Sequence, residues 1–282
     1  MLSYRHAFHA GNFADVLKHL VLDRILAHLA KKDKPFLCLD THAGAGGYSL
    51  TGEYARKNAE YECGIGRLWE RNDLPAGLAE YLAAVRQFNA TDRLQAYPGS
   101  PYFARRRLRA GDRLVLCELH PAELERLKSF ARQDRRIKVV RGDGFHECIA
   151  LMPPHERRGL VLIDPSYEIK TDYRQAVETL TGACRRFETG VFALWYPVIE
   201  RRRIDALEQA LGQSGIPRIR LFELGVEPDA RARGMTASGM IVINPPWTLA
   251  GEMETALPYL ADALGRDGGG HYRMYELAGE QG

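Results

Sequence analysis

Gly159-Leu-Val-Leu-Ile-Asp-Pro-Ser-Tyr-Glu168 is the stretch of sequence from which the fold class can be worked out. Four apolar residues between a glycine and an Asp-Pro pair are typical of a strand that is buried on both faces of a parallel sheet. In open α/β sheets, ligands bind just beyond the carboxyl ends of the strands. The residues from Asp164 to Tyr167 are therefore predicted to lie at a functional site.

The side chains in this stretch suit a planar base that carries an exocyclic amine. The carboxylate of Asp164 can accept a hydrogen bond from the amine, and the carbonyl of Pro165 can serve as a second acceptor. The ring of Tyr167 offers a face on which a base can stack. An Asp-Pro turn followed by an aromatic residue is also an ordinary way to end a strand, so the motif alone leaves both interpretations open.

Composition limits the class of protein. A chain of 282 residues is long enough for one large α/β domain with an insertion, or for two modest domains. An apolar content of 45% and a charged content of 27% are ordinary for a soluble globular protein. The sequence has no apolar run of the roughly 18 residues that a membrane-spanning helix needs, and residues 1–6 lack the apolar core of a signal peptide. We therefore expect a cytoplasmic protein without a membrane partner.

The cysteines and the charges carry little information about function. The five cysteines are scattered and include no CxxC pair, which predicts reduced thiols and neither disulfides nor a metal site. The net charge is only +3. Clusters of arginine, such as residues 105–109 and 201–203, could bind phosphates, but for each cluster taken alone a solvated helix face is the favoured interpretation.

Strand ends elsewhere in the chain also carry polar residues. The first strand, residues 35–40, leads into Asp40-Thr-His-Ala-Gly-Ala-Gly46, a glycine-rich turn that is neither a dinucleotide fingerprint nor a P-loop. The second strand ends at Glu118, where a carboxylate could accept hydrogen bonds from ribose hydroxyls. Asp143 follows the third strand and could accept from an adenine amino group, although an Asp-Gly turn is the alternative.

Two helix starts lie close to these strands in the sequence. Asn12 can cap a helix over about residues 13–31, whose apolar residues form one stripe. Lys18 and His19 lie off the centre of that stripe, so a solvated helix face is the simplest interpretation of both. Ser100, followed by a proline, suits the cap of a second helix. Residues 1–12 form a tail that could fold over a site as a lid.

The order of the predicted elements indicates one α/β domain with an insertion. Residues 51–96 interrupt the alternation with helical patterns and are interpreted as a small inserted helical subdomain, whose aromatic residues form their own core. The main domain then comprises residues 1–50 and 97–282. Two strands near its end, at about 218–224 and 238–246, have no helix between them and predict an antiparallel pair at the sheet edge. Glycine-rich segments at 266–270 and 277–282 are interpreted as a tail.

With acids at four strand ends, the stretch Asp164-Pro-Ser-Tyr167 resembles the Asp/Asn-Pro-Pro-Tyr/Phe motif of N6-adenine methyltransferases. Further blocks extend the resemblance over essentially the whole chain: Met1–Asn12, Leu39–Gly46, Tyr97–Pro101, Ala193–Pro197 and Arg233–Trp247. Together they resemble the RlmJ family of bacterial 23S ribosomal RNA adenine-N6 methyltransferases, whose name carries nucleotide 2030. The resemblance implies the class I S-adenosylmethionine-dependent methyltransferase fold, a Rossmann-like sheet of seven strands.

The resemblance also implies partners and residue roles. The expected cofactor is S-adenosyl-L-methionine, the product S-adenosyl-L-homocysteine, and the partner 23S ribosomal RNA, without a metal; a monomer is our default expectation. The catalytic positions are Asp164, Pro165 and Tyr167, and the residues expected to touch the substrate RNA are Tyr4 and Tyr167. The positions that match the cofactor site, or lie beside it, are Lys18, His19, His42, Ser100, Glu118, Asp143, Gly144 and Asp164.

One residue departs from the wider motif, and other classes of protein remain open. Ser166 stands where the motif usually has a second proline, which would fix φ and stiffen the loop.

A DNA adenine-N6 methyltransferase is the alternative function within the same class of enzyme. An RNA-binding homologue that is weakened in catalysis by Ser166 is another alternative. A nicotinamide-dependent oxidoreductase is disfavoured because the dinucleotide fingerprint is missing.

Overall fold

A computed structural model describes residues 6–229 and 234–280. Its strands, in chain order, are β1 (Leu37–Asp40), β2 (Gly47–Ser49), β3 (Ala96–Pro98), β4 (Arg113–Glu118), β5 (Ile137–Arg141), β6 (Gly159–Ile163), β7 (Val191–Val198), β8 (Ile219–Gly225), β9 (Ala237–Ile243) and β10 (His271–Ala278). Its α-helices are α1 (Phe13–Ala30), α2 (Glu53–Asn58), α3 (Ile65–Leu68), α4 (Ala76–Phe88), α5 (Ser100–Arg107), α6 (Pro121–Ala131), α7 (Gly144–Ala150), α8 (Asp172–Arg186), α9 (Arg201–Gly212) and α10 (Trp247–Leu264).

The described strands form one large sheet and one small one. The large sheet has the order β10-β8-β9-β7-β6-β1-β4-β5, in which β5, β4, β1, β6 and β7 are parallel neighbours and β9 is antiparallel to both β7 and β8. Strands β2 and β3 pair separately. The sequence prediction of an α/β fold around a mostly parallel sheet is confirmed.

Strand β6 lies in the middle of the sheet, as its unbroken apolar run predicts. All five of its residues are buried. Leu160 and Leu162 pack into the core on one face, whereas Val161 and Ile163 pack into the core on the other, because successive side chains of a strand point to opposite faces. The end of this strand therefore places Asp164 at the centre of the carboxyl edge of the sheet.

The last part of the chain differs from the prediction. The sheet has eight strands among the described residues and not seven, because β10 pairs with β8. The antiparallel pair β8 and β9 is present, but β8 is covered by β10 and does not form the edge. No element was predicted for residues 271–276, and 277–282 were interpreted as a tail, yet His271–Ala278 form a half-exposed edge strand, preceded by the unpredicted helix α10.

Helix α1 begins where the sequence predicts and is buried on all sides. Asn12 caps it by accepting a hydrogen bond from the amide of Asp15, at 3.0 Å. The helix packs against the sheet and against α4, α5 and α10. The prediction of a solvated face was wrong, since Lys18 and His19 are only 3% and 1% exposed. Charged side chains in such a place need partners.

The segment 51–96 is helical, as predicted, but its aromatics do not form a separate core. Tyr81 of α4 stacks on Phe103 of α5, with 5.5 Å between the ring centroids. Its hydroxyl shares a hydrogen bond with the hydroxyl of Tyr97, at 2.8 Å. The buried residues of α4 belong to the same apolar cluster as those of α1. This segment therefore extends the main core.

Candidate active site

Four carboxylates lie at the carboxyl ends of four neighbouring parallel strands. Asp40 ends β1 and Glu118 ends β4. Asp143 follows β5 as the cap of α7, and Asp164 directly follows β6. The sheet order β5-β4-β1-β6 makes these strands neighbours. The structure thus brings together the four strand ends that the sequence singles out, and gives this edge a strongly acidic lining.

The turn after β1 brings backbone amides towards Glu118. Gly44 and Gly46 have φ values of 61° and 83°, a conformation that glycine adopts without steric cost. The amide of Gly44 donates to one carboxylate oxygen of Glu118 at 2.8 Å, and the amide of His120 donates to the other at 2.6 Å. Burial raises the pKa of Glu118, and these two amides offset part of that rise. The carboxylate is thereby fixed in orientation.

Ser100 does not cap its helix as predicted. Gly99 is the N-cap of α5, and the Ser100 hydroxyl donates instead to Asp40 at 2.6 Å. Burial raises the pKa of Asp40 to about 7, an effect that the Ser100 hydrogen bond opposes and the nearby charge of Asp164 reinforces. Asp40 is only 1% exposed. The pair joins the end of β1 to the start of α5.

Gly144 lies where two strand-end loops meet. A Cβ at this position would lie 1.9 Å from the carbonyl oxygen of Thr41, so a side chain cannot be accommodated without moving the backbone. The preceding Asp143 accepts a hydrogen bond from the amide of Phe145 at 2.9 Å through one oxygen. Asp143 is therefore the cap of α7, a role that neither sequence interpretation named, and its other oxygen makes no hydrogen bond with another described residue.

Lys18 joins α1 to the end of β6. Its ammonium nitrogen lies 2.7 Å from Oδ2 of Asp164 and 2.9 Å from Oδ1 of Asp15. Asp15 is also bonded to His6, whose Nε2 lies 2.8 Å from Oδ2. Burial disfavours the Lys18 ammonium, but the two carboxylates raise its pKa above the ordinary value. Lys18 is therefore a cation held directly against the predicted catalytic carboxylate.

The electrostatics of Asp164 reflect two opposed effects. Burial raises its pKa above the ordinary value, and the charge and hydrogen bond of Lys18 offset part of this rise. The ion pair with Lys18 favours the ionised carboxylate, which is a hydrogen-bond acceptor. Its second oxygen, Oδ1, makes no hydrogen bond with the described residues and can accept one from a ligand.

Trp195 is a residue of this site that the sequence analysis did not assign. The ammonium of Lys18 lies 5.3 Å from the centroid of its ring, and its indole N–H donates to Ser238 at 2.7 Å. The hydroxyl of Tyr167 donates to the Trp195 carbonyl at 2.7 Å. The Leu-Trp-Tyr-Pro run at the end of β7 was the available signal, because it places a large aromatic at the same sheet edge.

Tyr167 is packed more tightly than a stacking platform would require. Its ring is 9% exposed and lies 4.4 Å from the ring of Tyr173 and 5.8 Å from that of Trp195, between centroids. Its backbone has a φ of 54°, which is strained for a bulky residue. Base stacking by Tyr167 stays a prediction, as does the acceptor role of the buried Pro165 carbonyl.

The two histidines have different surroundings. His19 is buried, bonds the hydroxyl of Tyr97 at 2.9 Å and stacks on Phe103. His42 lies in the turn after β1, and burial lowers its pKa to about 4. Its Nδ1 shares a hydrogen bond with Thr41 at 2.7 Å. The structure places His42 in a strand-end turn, whereas the ring contacts of His19 are with Tyr97 and Phe103.

The N-terminal segment approaches this edge of the sheet. A short 3-10 helix, His6–Phe8, precedes α1, and the ring of His6 lies 4.9 Å from that of Tyr48. Tyr4, predicted to contact substrate RNA, lies outside the described residues, so its role stays a prediction.

Comparisons with known proteins assign the family. The sequence profile of the family described as "Ribosomal RNA large subunit methyltransferase D, RlmJ" matches residues 33–276. The chain belongs to this family. The RlmJ relatives include the ribosomal RNA large subunit methyltransferase J of Escherichia coli, 52% identical over 96% of this chain and 97% of that protein. The protein of the same name from Haemophilus influenzae is 47% identical over 97% of this chain and 98% of that protein.

A solved structure agrees with this assignment. Protein LPL1258 from Legionella pneumophila superposes with a TM-score of 0.89, is 39% identical, and is matched over 95% of this chain and 98% of that one. The five parallel strands followed by β8 and β9 are the class I methyltransferase arrangement that the resemblance to the RlmJ family implied. Strand β10 is an addition at one edge of that sheet.

Two further findings concern the described part of the chain. Residues 6–229 and 234–280 contain no group of three histidine, cysteine or acidic side chains placed to hold a metal ion. Within the same ranges, no helix combines the length and the apolar character that crossing a membrane requires.

Proposed function

We propose that this protein transfers the methyl group of S-adenosyl-L-methionine to N6 of adenine 2030 in 23S ribosomal RNA. Its membership of the RlmJ family supports the rRNA substrate and the methyl transfer. The observation that carries the proposal is the placement of Asp164, which follows a buried central strand, faces the acidic edge of the sheet and has one oxygen available to a ligand.

The residues at the strand ends fit this cofactor. S-adenosyl-L-methionine carries a positive sulfonium and a positive ammonium group, and the lining of Asp40, Glu118, Asp143 and Asp164 is complementary to both. Glu118 would accept from the ribose hydroxyls, and the free oxygen of Asp143 would accept from the adenine amino group. We assign these residues to the cofactor site together with Lys18, His19, His42, Ser100 and Gly144.

When bound, the cofactor supplies an electrophilic methyl group on a positively charged sulfur. The N6 lone pair of adenine is delocalised into the ring, so the nitrogen is a weak nucleophile. Asp164 and the carbonyl of Pro165 would accept hydrogen bonds from the two N6 hydrogens, which orients the amine and increases electron density on the nitrogen. The methyl group would gain a bond to N6 as its bond to sulfur is lost, the methylated amine would then be acidic, and the Asp164 carboxylate would accept its proton.

Lys18 would control the carboxylate during this step. Its ammonium contacts Oδ2 of Asp164 at 2.7 Å, which leaves Oδ1 for the amine. The positive charge would favour the ionised form of Asp164, against the effect of burial. The target adenine would have to leave any base stack, which costs a few kcal/mol unless it is already unpaired.

A substitution that keeps the shape of the side chain tests the proposal. Asp164→Asn should lower the single-turnover rate of methyl transfer by at least about 100-fold, because an amide is a poorer acceptor and cannot take the proton. The matched control is Glu168→Gln, an exposed carboxylate in the same loop, which should transfer at nearly the native rate. Native activity in Asp164→Asn would exclude Asp164 as the acceptor of the amine hydrogen and proton.

The remaining assignments are part of the same proposal. We assign residues 1–50 and 97–282 to the methyltransferase domain and residues 51–96 to the inserted helical segment. We further propose a monomer that acts in the cytoplasm. DNA is the alternative substrate, and parallel assays with the same adenine-containing sequence as RNA and as DNA separate the two.

A further inference from the structure

One aromatic side chain stands apart from the rest of the surface. Trp247 is 84% exposed, whereas Trp69 is 8% exposed and Trp195 is partly buried. Apolar surface of this size in contact with water is unfavourable for a side chain that serves only the fold. An exposed tryptophan is therefore a candidate contact residue.

Trp247 is held in a fixed place. It is the first residue of α10 and follows Pro245 and Pro246, and the preceding Asn244 has its side chain bonded to the carbonyls of Glu188 and Gly190 at 2.8 and 2.7 Å. The ring of His28 meets the indole edge-on, with 6.1 Å between centroids. Little conformational freedom of the backbone is left to lose when a ligand binds the indole.

This position lies on the side of the sheet opposite to the candidate active site. Ile243, the last residue of β9, pairs with Phe192 near the start of β7 and with Ile219 at the start of β8. The indole is therefore at the amino edge of the parallel strands. At about 3.3 Å per residue, the eight residues of β7 separate the two edges by about 25 Å. Trp247 cannot touch a base that is bound at Asp164.

Two segments of the chain bring cations near the indole. A groove beside it is lined by the exposed Arg218, by Arg220 and by the two prolines, together with Glu276 and Glu280. His28, which contacts the indole, lies in the last turn of α1, and Lys31 and Lys32 follow it by three and four residues at the end of that helix. Their positive charges, with that of Arg158, add to the effect of burial in lowering the pKa of His28. Among the described residues, no carboxylate pairs with Lys31, Lys32 or Arg218, whereas Arg220 lies 3.6 Å from Glu276.

An aromatic face near unpaired cations matches the chemistry of single-stranded nucleic acid, in which bases stack and phosphates need positive partners. We propose that the surface formed by Trp247, Arg218, Lys31 and Lys32 is a second RNA-binding site, on which one unpaired base stacks on Trp247 and its flanking phosphates contact the cations. This extends the proposed function, because a large RNA could reach this surface and the active site together.

An RNA without adenine cannot be the substrate of methyl transfer, so its binding can be measured separately from catalysis. A fluorescein-labelled dodecamer of uridine should bind the full chain, and Trp247→Ala should weaken the binding by about tenfold. The matched control is Tyr272→Ala, which removes a 47% exposed aromatic near the other end of the sheet and should bind as the native chain does. Equal affinities of Trp247→Ala and the native chain would overturn the proposal.

Intrinsic fluorescence shows whether a base stacks on this indole. The unlabelled dodecamer should quench the emission of Trp247 in the native chain. Trp247→Phe keeps Trp69 and Trp195, so this quenching should be missing from the variant. Quenching of the same size in Trp247→Phe would place the RNA elsewhere.

The salt dependence tests the phosphate contact. Arg218→Gln should reduce the slope of log K against log salt by about 0.7, the value for one phosphate of a single strand. Lys128→Gln removes the same charge from the exposed face of α6 and should leave the slope unchanged. Equal slopes for the two variants would exclude Arg218 from the site.

Methylation assays distinguish failure of this site from failure of the proposed function. Trp247→Ala should methylate a short RNA hairpin containing the target adenine at the native rate, but show a raised KM for whole 23S rRNA. Equal losses on both RNAs, or none on either, would overturn the second site.

A native chain that methylates neither RNA would refute the proposed function, and the uridine assay would still report on RNA binding at this surface. If Trp247→Ala dissociates a dimer without changing RNA binding, the surface belongs to a protein contact and the proposal fails.

Discussion

Asp164 and Lys18 form the pair of side chains on which the proposed chemistry depends. Both are largely buried, and their charged atoms are 2.7 Å apart. Burial raises the pKa of Asp164, and Lys18 opposes this rise. Because the carboxylate must be ionised to accept the amine hydrogen and later the proton, activity should fall as the pH drops through its pKa.

The pH profile therefore tests the role of Lys18. In the native chain, the acid limb of kcat/KM should lie above the pH expected of an ordinary aspartate. Lys18→Met removes the positive charge, so the pKa of Asp164 should rise further and the acid limb should move to higher pH. Lys170→Met removes a charge from an exposed position in the loop after Tyr167 and should leave the limb in place. If both variants keep the native limb, Lys18 does not set the ionisation of Asp164.

Ser166 leads to a second prediction at this scale. Neither its amide nor its hydroxyl makes a hydrogen bond among the described residues, so a proline there costs no donor. Ser166→Pro should stabilise the chain by about 0.4–1 kcal/mol by restricting the unfolded state, and raise the single-turnover rate because the loop between Asp164 and the strained Tyr167 becomes stiffer. Chemical denaturation and rapid-quench assays measure the two effects. An unchanged or lower rate would show that loop stiffness does not limit transfer.

The sequence identified the carboxylates at the strand ends but not their surroundings. Asp40, Glu118, Asp143 and Asp164 could be predicted because the end of a buried strand is visible in the apolar pattern. The burial of Lys18 could not, since its ammonium is enclosed by Asp164 and Trp195, which are far from it in the chain. The contact of Trp195 with Lys18 likewise joins residues that are far apart in the chain.

At the scale of elements, the close approach of two loops limits what the cofactor edge can tolerate. Gly144→Ala should destabilise the chain by about 1–3 kcal/mol and weaken cofactor binding, because the added Cβ meets the Thr41 carbonyl at 1.9 Å. Gly251→Ala in α10 is the matched control, since its Cβ meets no atom within 4 Å, and it should be neutral or stabilising by up to about 1 kcal/mol. Thermal unfolding measures the stability of the two variants, and calorimetric titration measures their affinity for the cofactor. Equal stability and equal affinity of the two variants would contradict the prediction.

The elements near the end of the chain were harder to predict than those near its start. Helix α10 contains Pro258, which removes a backbone donor inside the helix, so the local sequence argues against the structure that packing enforces. Strand β10 is an edge strand whose residues are half-exposed, and it lacks the apolar run that identifies β6. Tertiary contacts decide both elements.

For the whole molecule, the added strand β10 is joined to the fold by a buried ion network. Arg273 bonds Glu208 at 3.0 Å and Glu223 at 3.2 Å, and Glu223 is fully buried. Arg201 also bonds Glu223, at 2.8 Å. The network connects β10, β8 and α9, and closes the antiparallel end of the sheet.

Breaking this network should affect the stability of the whole chain. Arg273→Met leaves Glu208 and Glu223 with fewer positive partners and should cost about 3 kcal/mol. Arg220→Met on the neighbouring strand breaks the looser ion pair between Arg220 and Glu276, whose charged atoms are 3.6 Å apart. This change should cost less than about 1 kcal/mol of stability. Equilibrium unfolding in urea compares the two, and similar losses would contradict the importance of the buried network.

Methyl transfer to one adenine of 23S rRNA is the central claim, and one assay tests it most directly. The protein is incubated with S-adenosyl-L-methionine carrying a radiolabelled methyl group and with protein-free 23S rRNA from cells that lack this gene, after which the RNA is digested to nucleosides. We expect labelled N6-methyladenosine from a single site at nucleotide 2030. Label in another nucleoside, or none in RNA while the cofactor still binds, would contradict the proposed function.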